Sequence, residues 1–432
     1  MRTIARNSTI AASALFIVVS IGFGSIANRD VAADATSKAS DTGAANLPLT
    51  WGYDATAPAA NWVKPPLLSA SADPIYRTPI RRMTSAGGTR FDRNTYSRRQ
   101  AENSDGTLLL SYHGDAEYHV YDRATGELLK ALPIHPDAEP QWRPTKPLRI
   151  RHIAGANESL GDLKLYELNL KTGSDNVVTD LTSRIQSRIP SAVFLADRAE
   201  GSPSADGNRF AWIVHDRDGN RLGLVSYDVA SDTVLGMLAP LRPNDGDLDW
   251  VSMSPTGSYI VAGYWYGTFV YDADLSNERL LNFKADHSDI ALKADGGDAY
   301  VYIDFSDGPD AGFLVSIDLK TLERQRLFEI YGGANTSLHV SGKGYDRPGW
   351  VVVSTYNCKD SGAWTCDKIL VVELAEPARV LNLAHTYNCG DNYWSETQAV
   401  VNREFSRVYF NSDGGSCGID AEVYELTLPT FE

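Results

Sequence analysis

The sequence predicts an all-β chain built from one unit repeated around a ring, and three observations predict it. The first is residue balance. Among 432 residues, glycine (35), tyrosine (21) and tryptophan (9) are plentiful, methionine (4) is scarce, and charged heptads are missing. That mixture suits short strands and tight turns rather than helical bundles or coiled coils. The second is a pair of interleaved markers, each recurring at roughly 40 to 60 residues, the length of a four-stranded unit. The third is the position of the last unit, which ends close to the C-terminus and leaves Ile75–Met83 to supply its outer strand. A seven-bladed β-propeller over residues 48–432, closed by that N-terminal strand, is therefore expected. Closure removes the unpaired edges an open sheet would leave. A solenoid would need shorter, more regular repeats with capping units.

Taken in chain order, Arg2 and Arg6 precede an apolar run from Ile10 to Ile26, and Ser25-Ile26-Ala27 places small residues at −3 and −1 of a cleavage point. Residues 1–27 thus read as a signal peptide; an uncleaved anchor is disfavoured because the run is short for a span. Residues 28–47, rich in Ala, Ser, Asp and Thr, read as a flexible tether. No membrane span is expected after signal removal, and the protein is expected to be periplasmic or secreted, as a monomer.

The first marker is a turn: Ser104-Asp105-Gly106, Ala205-Asp206-Gly207, Pro255-Thr256-Gly257 and Ala294-Asp295-Gly296, with degenerate versions at Pro144-Thr145-Lys146, Asp346-Arg347-Pro348 and Asn402-Arg403-Glu404. The second closes a later strand: Tyr121-Asp122, Tyr166-Glu167, Tyr227-Asp228, Tyr271-Asp272, Ile317-Asp318, Val372-Glu373 and Tyr424-Glu425. All four cysteines fall late, and in an exported chain they favour disulfides, most simply Cys358–Cys366 and Cys389–Cys417 among three possible pairings. No C-x-x-C spacing supports zinc. A formal charge of −15 argues against nucleic acid or an anionic membrane as a general partner.

Innermost strands line a propeller's channel, and here they lie just before the marker turns. Polar residues from every unit converge there, from Arg98 and Gln100 in the first to Glu396 and Gln398 in the last. They either satisfy one another or make a site. His287, His339, Glu396 and Gln398, from three consecutive units, offer two imidazoles, a carboxylate and an amide oxygen, a donor set for Mn²⁺, or for Zn²⁺ or Ca²⁺. Between Arg77 and Arg99 stand seven arginines against the single acid Asp92. Such a run is either a carboxylate- or sulfate-binding site or a face paired with acids from other units. Trp142, Trp350, Trp394 and Tyr264-Trp265-Tyr266 add aromatic surfaces that stack on sugars or pack the blades. His113, His119 and His152 lack sequence-local partners for general-base work. No G-x-S-x-G, H-E-x-x-H or P-loop is present.

The run Tyr393-Trp394-Ser395-Glu396-Thr397-Gln398, then Asn402-Arg403 and Val408-Tyr409-Phe410-Asn411-Ser412-Asp413, resembles the last blade of bacterial oligogalacturonate lyases. The stretch Asp286–Asp295 resembles their fifth-blade strand, and His287 matches its histidine ligand. The resemblance implies a seven-bladed propeller that cleaves uronide oligomers by β-elimination with Mn²⁺ at the channel mouth. Glu396 and Gln398 stand where that family carries a histidine pair, and Asp249 or Trp250 stands where it carries its catalytic histidine. The chain is also similar to other propeller polysaccharide lyases, ulvan lyases among them, in which a histidine or tyrosine is the base.

On this reading a metal on His287, His339, Glu396 and Gln398, helped by Arg98, neutralises the substrate carboxylate. His152 or Tyr266 is the base, and Arg99, Lys343, Arg347 and Trp394 bind an acidic glycan. The alternative is a non-catalytic propeller that serves as a binding platform for a cell-envelope protein or glycan.

Overall fold

The computed structural model describes residues 47–431 apart from 60, 89, 157–158, 199, 242–247, 284–286, 307, 331–335, 359–362, 390–392 and 418–419. The expected signal peptide, and the expected tether up to residue 46, lie outside the described residues.

The described chain is all-β, interrupted by a short α-helix, Thr182–Gln186, and a 3₁₀ turn, Tyr393–Ser395. Four sheets are simple four-stranded antiparallel meanders that begin at Gln141–Trp142, Phe194–Ala196, Leu248–Met253 and Ser288–Leu292. A fifth meander begins at Ser337–Ser341 and gains Thr50–Trp51 outside Val380–His385. The remaining sheet has nine strands. It contains the first meander, from Phe91–Arg93 to Leu128–Ala131, and a last stack in which Val400–Val401, Arg407–Ser412 and Ala421–Thr427 follow one another. A parallel pairing of Ala421 with Phe91 and Glu422 with Asp92 joins the two.

Pro79–Arg82 pairs antiparallel with Ala421–Thr427, Ile80 opposite Leu426, so an N-terminal strand does complete the C-terminal stack. The marker turns fall between the first and second strands of their stacks, and the Tyr-Asp markers fall on the third. The turn glycines are required by conformation: Gly207 has φ 69° and Gly257 φ 72°, values any side chain would strain.

Alternation along each strand sends one side chain in two to a neighbouring stack. Leu108, Leu110 and Val120 of the first stack pack on Trp142, Ile150 and Leu168 of the second. Further clusters join the second stack to the third, the third to the fourth, the fourth to the fifth and the fifth to the sixth. Another joins the sixth to the last. Leu109 of the first stack packs in turn on Tyr409 and Val423 of the last.

The disulfides are Cys358–Cys366 and Cys389–Cys417, with Cα atoms 5.4 and 4.9 Å apart. Beside the first, burial pushes Asp367 up to about 6, against the downward pull of the Cys358 N–H and of His385. The folded chain therefore holds this proton more tightly than the unfolded one, and stability falls as the pH rises from about 4 to about 6. Asp367→Asn keeps the shape, and asparagine tolerates the φ of 50° found there. The variant is expected to be more stable than the parent by about 1–3 kcal/mol at pH 7, converging with it below about pH 4, in urea unfolding at both pH values.

Candidate functional site

His339 lies mid-strand in Ser337–Ser341, between Leu338 and Val340, which point into the hydrophobic core. Strand alternation therefore turns His339 the other way, into the channel. Its ring stacks on His287, centroids 4.3 Å apart and planes 16° apart, and on Tyr356 at 5.0 Å. Tyr96 meets its edge at 5.5 Å. Glu396 Oε2 lies 3.5 Å from His339 Nε2, a contact that is not a hydrogen bond. His339 is 1% exposed, yet neither ring nitrogen makes a hydrogen bond among the described residues. Buried donors and acceptors are rarely left so, because an unpaired one costs about 1–3 kcal/mol.

His287 Nδ1 sits 2.8 Å from Leu338 O. A carbonyl only accepts, so Nδ1 carries the proton and Nε2 keeps its lone pair, the tautomer that a metal-binding histidine needs. Burial holds both imidazoles below their usual pKa, and His339 is lowered further by His287 and the nearby arginines. Burial raises Glu396, against the pull of His287, Gln398 and Tyr356. Neutral imidazoles, an orphaned carboxylate oxygen and a fixed tautomer are donors of the type a divalent cation takes, but the ligand atoms of His287, His339 and Glu396 do not all lie within 4.8 Å of one another, so the three would have to draw together to hold one. Gln398 turns its amide oxygen to Arg93 Nη1 at 2.6 Å, so it joins that set only by giving up this bond. Arg93 lies 5.1 Å over the ring of Trp394, which stacks on Phe91.

Arg98 crosses the channel. It is 2% exposed, lies 4.2 Å over Trp250, and reaches Glu200 Oε2 at 3.4 Å and Ser288 Oγ at 3.3 Å. Tyr96 bridges it to His339. The other residues singled out in the sequence have partners elsewhere. Arg99 is buried against Asp197 at 2.6 Å, and Lys343 against Asp289 at 3.0 Å. Arg347 donates to Phe431 O and covers its ring at 3.9 Å. His152 has Nδ1 2.8 Å from Ile153 O and Nε2 3.1 Å from both oxygens of Asp175. Tyr266, 38% exposed, stands beside the still more exposed Trp265. The arginine run thus forms no single patch, since Arg82 pairs with Glu422 and Arg81 with backbone carbonyls.

A cavity of about 180 Å³ opens at the turn-lined end of the channel, bordered by Arg98, Gln100, Gln141, Arg143, Lys343 and Arg403. Sequence reading counted Arg93 only within the arginine run, and missed Tyr96 and Tyr356. Tyr96 had a usable signal, two residues before Arg98; Tyr356, on a second strand, had none. It also missed a second donor group, Asp92, His113 and His119, whose ligand atoms lie within 4.8 Å of one another.

An all-β, propeller-like fold with an imidazole–carboxylate centre in its channel is the class of protein these features define. Two solved structures are similar to the chain. An oligogalacturonate lyase in complex with manganese shares 15% sequence identity, with a TM-score of 0.56, over 89% of this chain and 97% of that one. An oligogalacturonate lyase from Vibrio parahaemolyticus shares 13%, with a TM-score of 0.57, over 89% and 99%. At such identities the likeness is one of fold, and it extends well beyond the last blades. No family model matches the chain, and no curated protein does. No helix among the described residues is long and apolar enough to cross a membrane.

Proposed function

We propose that the chain is an exported seven-bladed propeller that cleaves uronate-containing oligo- or polysaccharide by metal-assisted β-elimination. The ring rests on the sequence of buried clusters, which runs from stack to stack and ends with Leu109 against Tyr409. Export rests on the signal-like N-terminus and the two disulfides.

The observation that carries the activity is the orphaned pair His339 and Glu396 Oε2 beside a tautomer-fixed His287. A divalent ion bound by these side chains would neutralise the substrate carboxylate and acidify the adjacent C–H. The base removes that proton, the double bond forms, and the glycosidic oxygen leaves with a proton. Tyr266, exposed at the rim, is the base we assign. His152 would first have to release Asp175. Trp394 and Arg93 form the stacking wall for a sugar ring. Arg98 holds Glu200 and Trp250 beneath it, while Arg99, Lys343 and Arg347 would reach a substrate carboxylate only by leaving their present partners.

The test is near-UV absorbance of the purified mature protein on a panel of uronate glycans, with and without chelator. A rise that chelator stops is expected, because only elimination makes the unsaturated uronate. No response on any substrate with Mn²⁺, Zn²⁺ and Ca²⁺ supplied would reject the activity. The engagement of both His152 nitrogens favours the second reading, a non-catalytic binding platform for a cell-envelope protein or glycan. That platform would survive Tyr266→Phe unchanged, whereas elimination is expected to fall on the order of 10²-fold or more in initial rate.

A further inference from the structure

We infer that the first stack carries a second divalent-metal site, of the two-histidine, one-carboxylate kind, formed by Asp92, His113 and His119. The three residues arrive on separate strands, and register brings them together. Asp92 pairs with His113 across one strand pair, and Ser111 pairs with His119 across the next. These four side chains therefore share one face, with Tyr121 two residues beyond His119. One donor atom from each of Asp92, His113 and His119 lies within 4.8 Å of the others, and the imidazoles stack at 4.5 Å.

The surroundings are those of ligands held in place. Ser111 Oγ and Tyr121 OH each donate to one Asp92 oxygen, at 2.5 Å, which fixes the carboxylate and leaves a lone pair on each oxygen. His119 Nδ1 lies 3.3 Å from the same tyrosine hydroxyl, so it leans toward Asp92, and its Nε2 faces Glu117 at 3.3 Å. The Asp115 N–H donates to His113 Nδ1 at 3.3 Å, with Asp115 Oδ2 also 3.3 Å from that nitrogen. An outer carboxylate such as Glu117 on His119 is how metal-bound histidines are oriented and made more basic. Asp92 is 0% exposed, and burial raises its pKa; its charged neighbours are the same two histidines. A cation at this point neutralises a carboxylate that is otherwise costly to bury.

Two imidazoles and one carboxylate suit first-row ions such as Zn²⁺ or Co²⁺ rather than Ca²⁺. Because Phe91–Arg93 also pairs with Ala421–Thr427, an ion here pins the strand at the junction of the first and last stacks to the hairpin beyond it.

The test is a Co²⁺ titration of the chelator-stripped, full mature chain, followed by visible absorption and by thermal unfolding. His113→Gln is expected to bind one equivalent fewer than the parent, or to bind it at least tenfold more weakly, and to lose part of the Co²⁺-dependent rise in Tm. His119→Gln, read in the same way, covers the case in which the first variant misfolds. Counting equivalents against the parent separates this site from any ion in the channel. Equal stoichiometry, affinity and Tm rise in parent and variants would overturn the assignment.

Discussion

His339→Leu is expected to abolish chelator-sensitive elimination while leaving the protein as stable as the parent, or more so. The two effects have one cause. His339 is buried, its ring nitrogens make no hydrogen bond among the described residues, and Glu396 Oε2, 3.5 Å away, is unsatisfied as well. An apolar side chain of similar size removes that desolvation cost, a gain of about 1–3 kcal/mol set against the lost stacking on Tyr356 and His287. It also removes a metal ligand, and the rate is expected to fall on the order of 10²–10³-fold, in the range of other lost electrostatic stabilisers. Mn²⁺ should raise the Tm of the metal-free parent by more than it raises that of His339→Leu, the difference being the share of the channel ion. A variant that is strongly destabilised, with a chelator-sensitive rate like the parent's, would make His339 a packing residue and remove the channel ion from the mechanism. Local energy sacrificed at one buried position is what a site selected for function leaves in a fold.

Much of the architecture was legible because its causes are local. Asp-Gly turns impose a left-handed backbone wherever they fall, and Gly106 and Gly207 adopt it. Tyr-Asp pairs mark third strands because the tyrosine packs inward while the aspartate caps the following turn, as Asp122 does for Thr125 N. The approach of His287 to His339 was readable too, since one stands just before the first strand of its stack and the other within the first strand of the next.

What was not legible is long-range pairing. Arg99 meets Asp197 and Arg98 meets Glu200, at separations of about a hundred residues that no spacing rule covers. Thus a run of seven arginines that reads as one patch is divided among several stacks. His152 likewise looked unpartnered until Asp175, on the fourth strand of its own stack, was placed against it. Asp92, His113 and His119 went unjoined because their association depends on register across three strands, and a slip of one residue would send His119 to the other face.

The junction of the first and last stacks yields the largest stability effect. Glu102 is buried and takes a bidentate pair from Arg407, with Nε at 2.8 Å and Nη2 at 2.9 Å. Tyr409 OH and Asn402 Nδ2 complete its shell at 2.5 and 2.8 Å. Arg407, Tyr409 and Asn402 belong to the last stack, while Glu102 bridges to Leu109 in the first. Burial alone would raise the Glu102 pKa, but these four bonds and the guanidinium charge overcome it and hold the carboxyl below its usual value.

Glu102→Gln keeps the size and removes the charge, taking from the buried Arg407 its bidentate carboxylate partner. A loss of about 3–5 kcal/mol is expected, or roughly 5–10 °C in Tm. The sign with pH follows from the lowered pKa. The pair contributes fully above the unfolded-state pKa of about 4.5 and is lost as pH falls through the folded one, so parent and variant should converge in acid. Glu102→Gln with Arg407→Met replaces the pair by neutral groups and should recover much of the loss, since the damage lies in a buried charge that has lost its main partner rather than in the missing bond. If the single variant melts with the parent at neutral pH, the pair does not hold the last stack to the first. The parallel strands Phe91–Arg93 and Ala421–Thr427 would then carry that junction, together with the cluster around Leu109 and Tyr409.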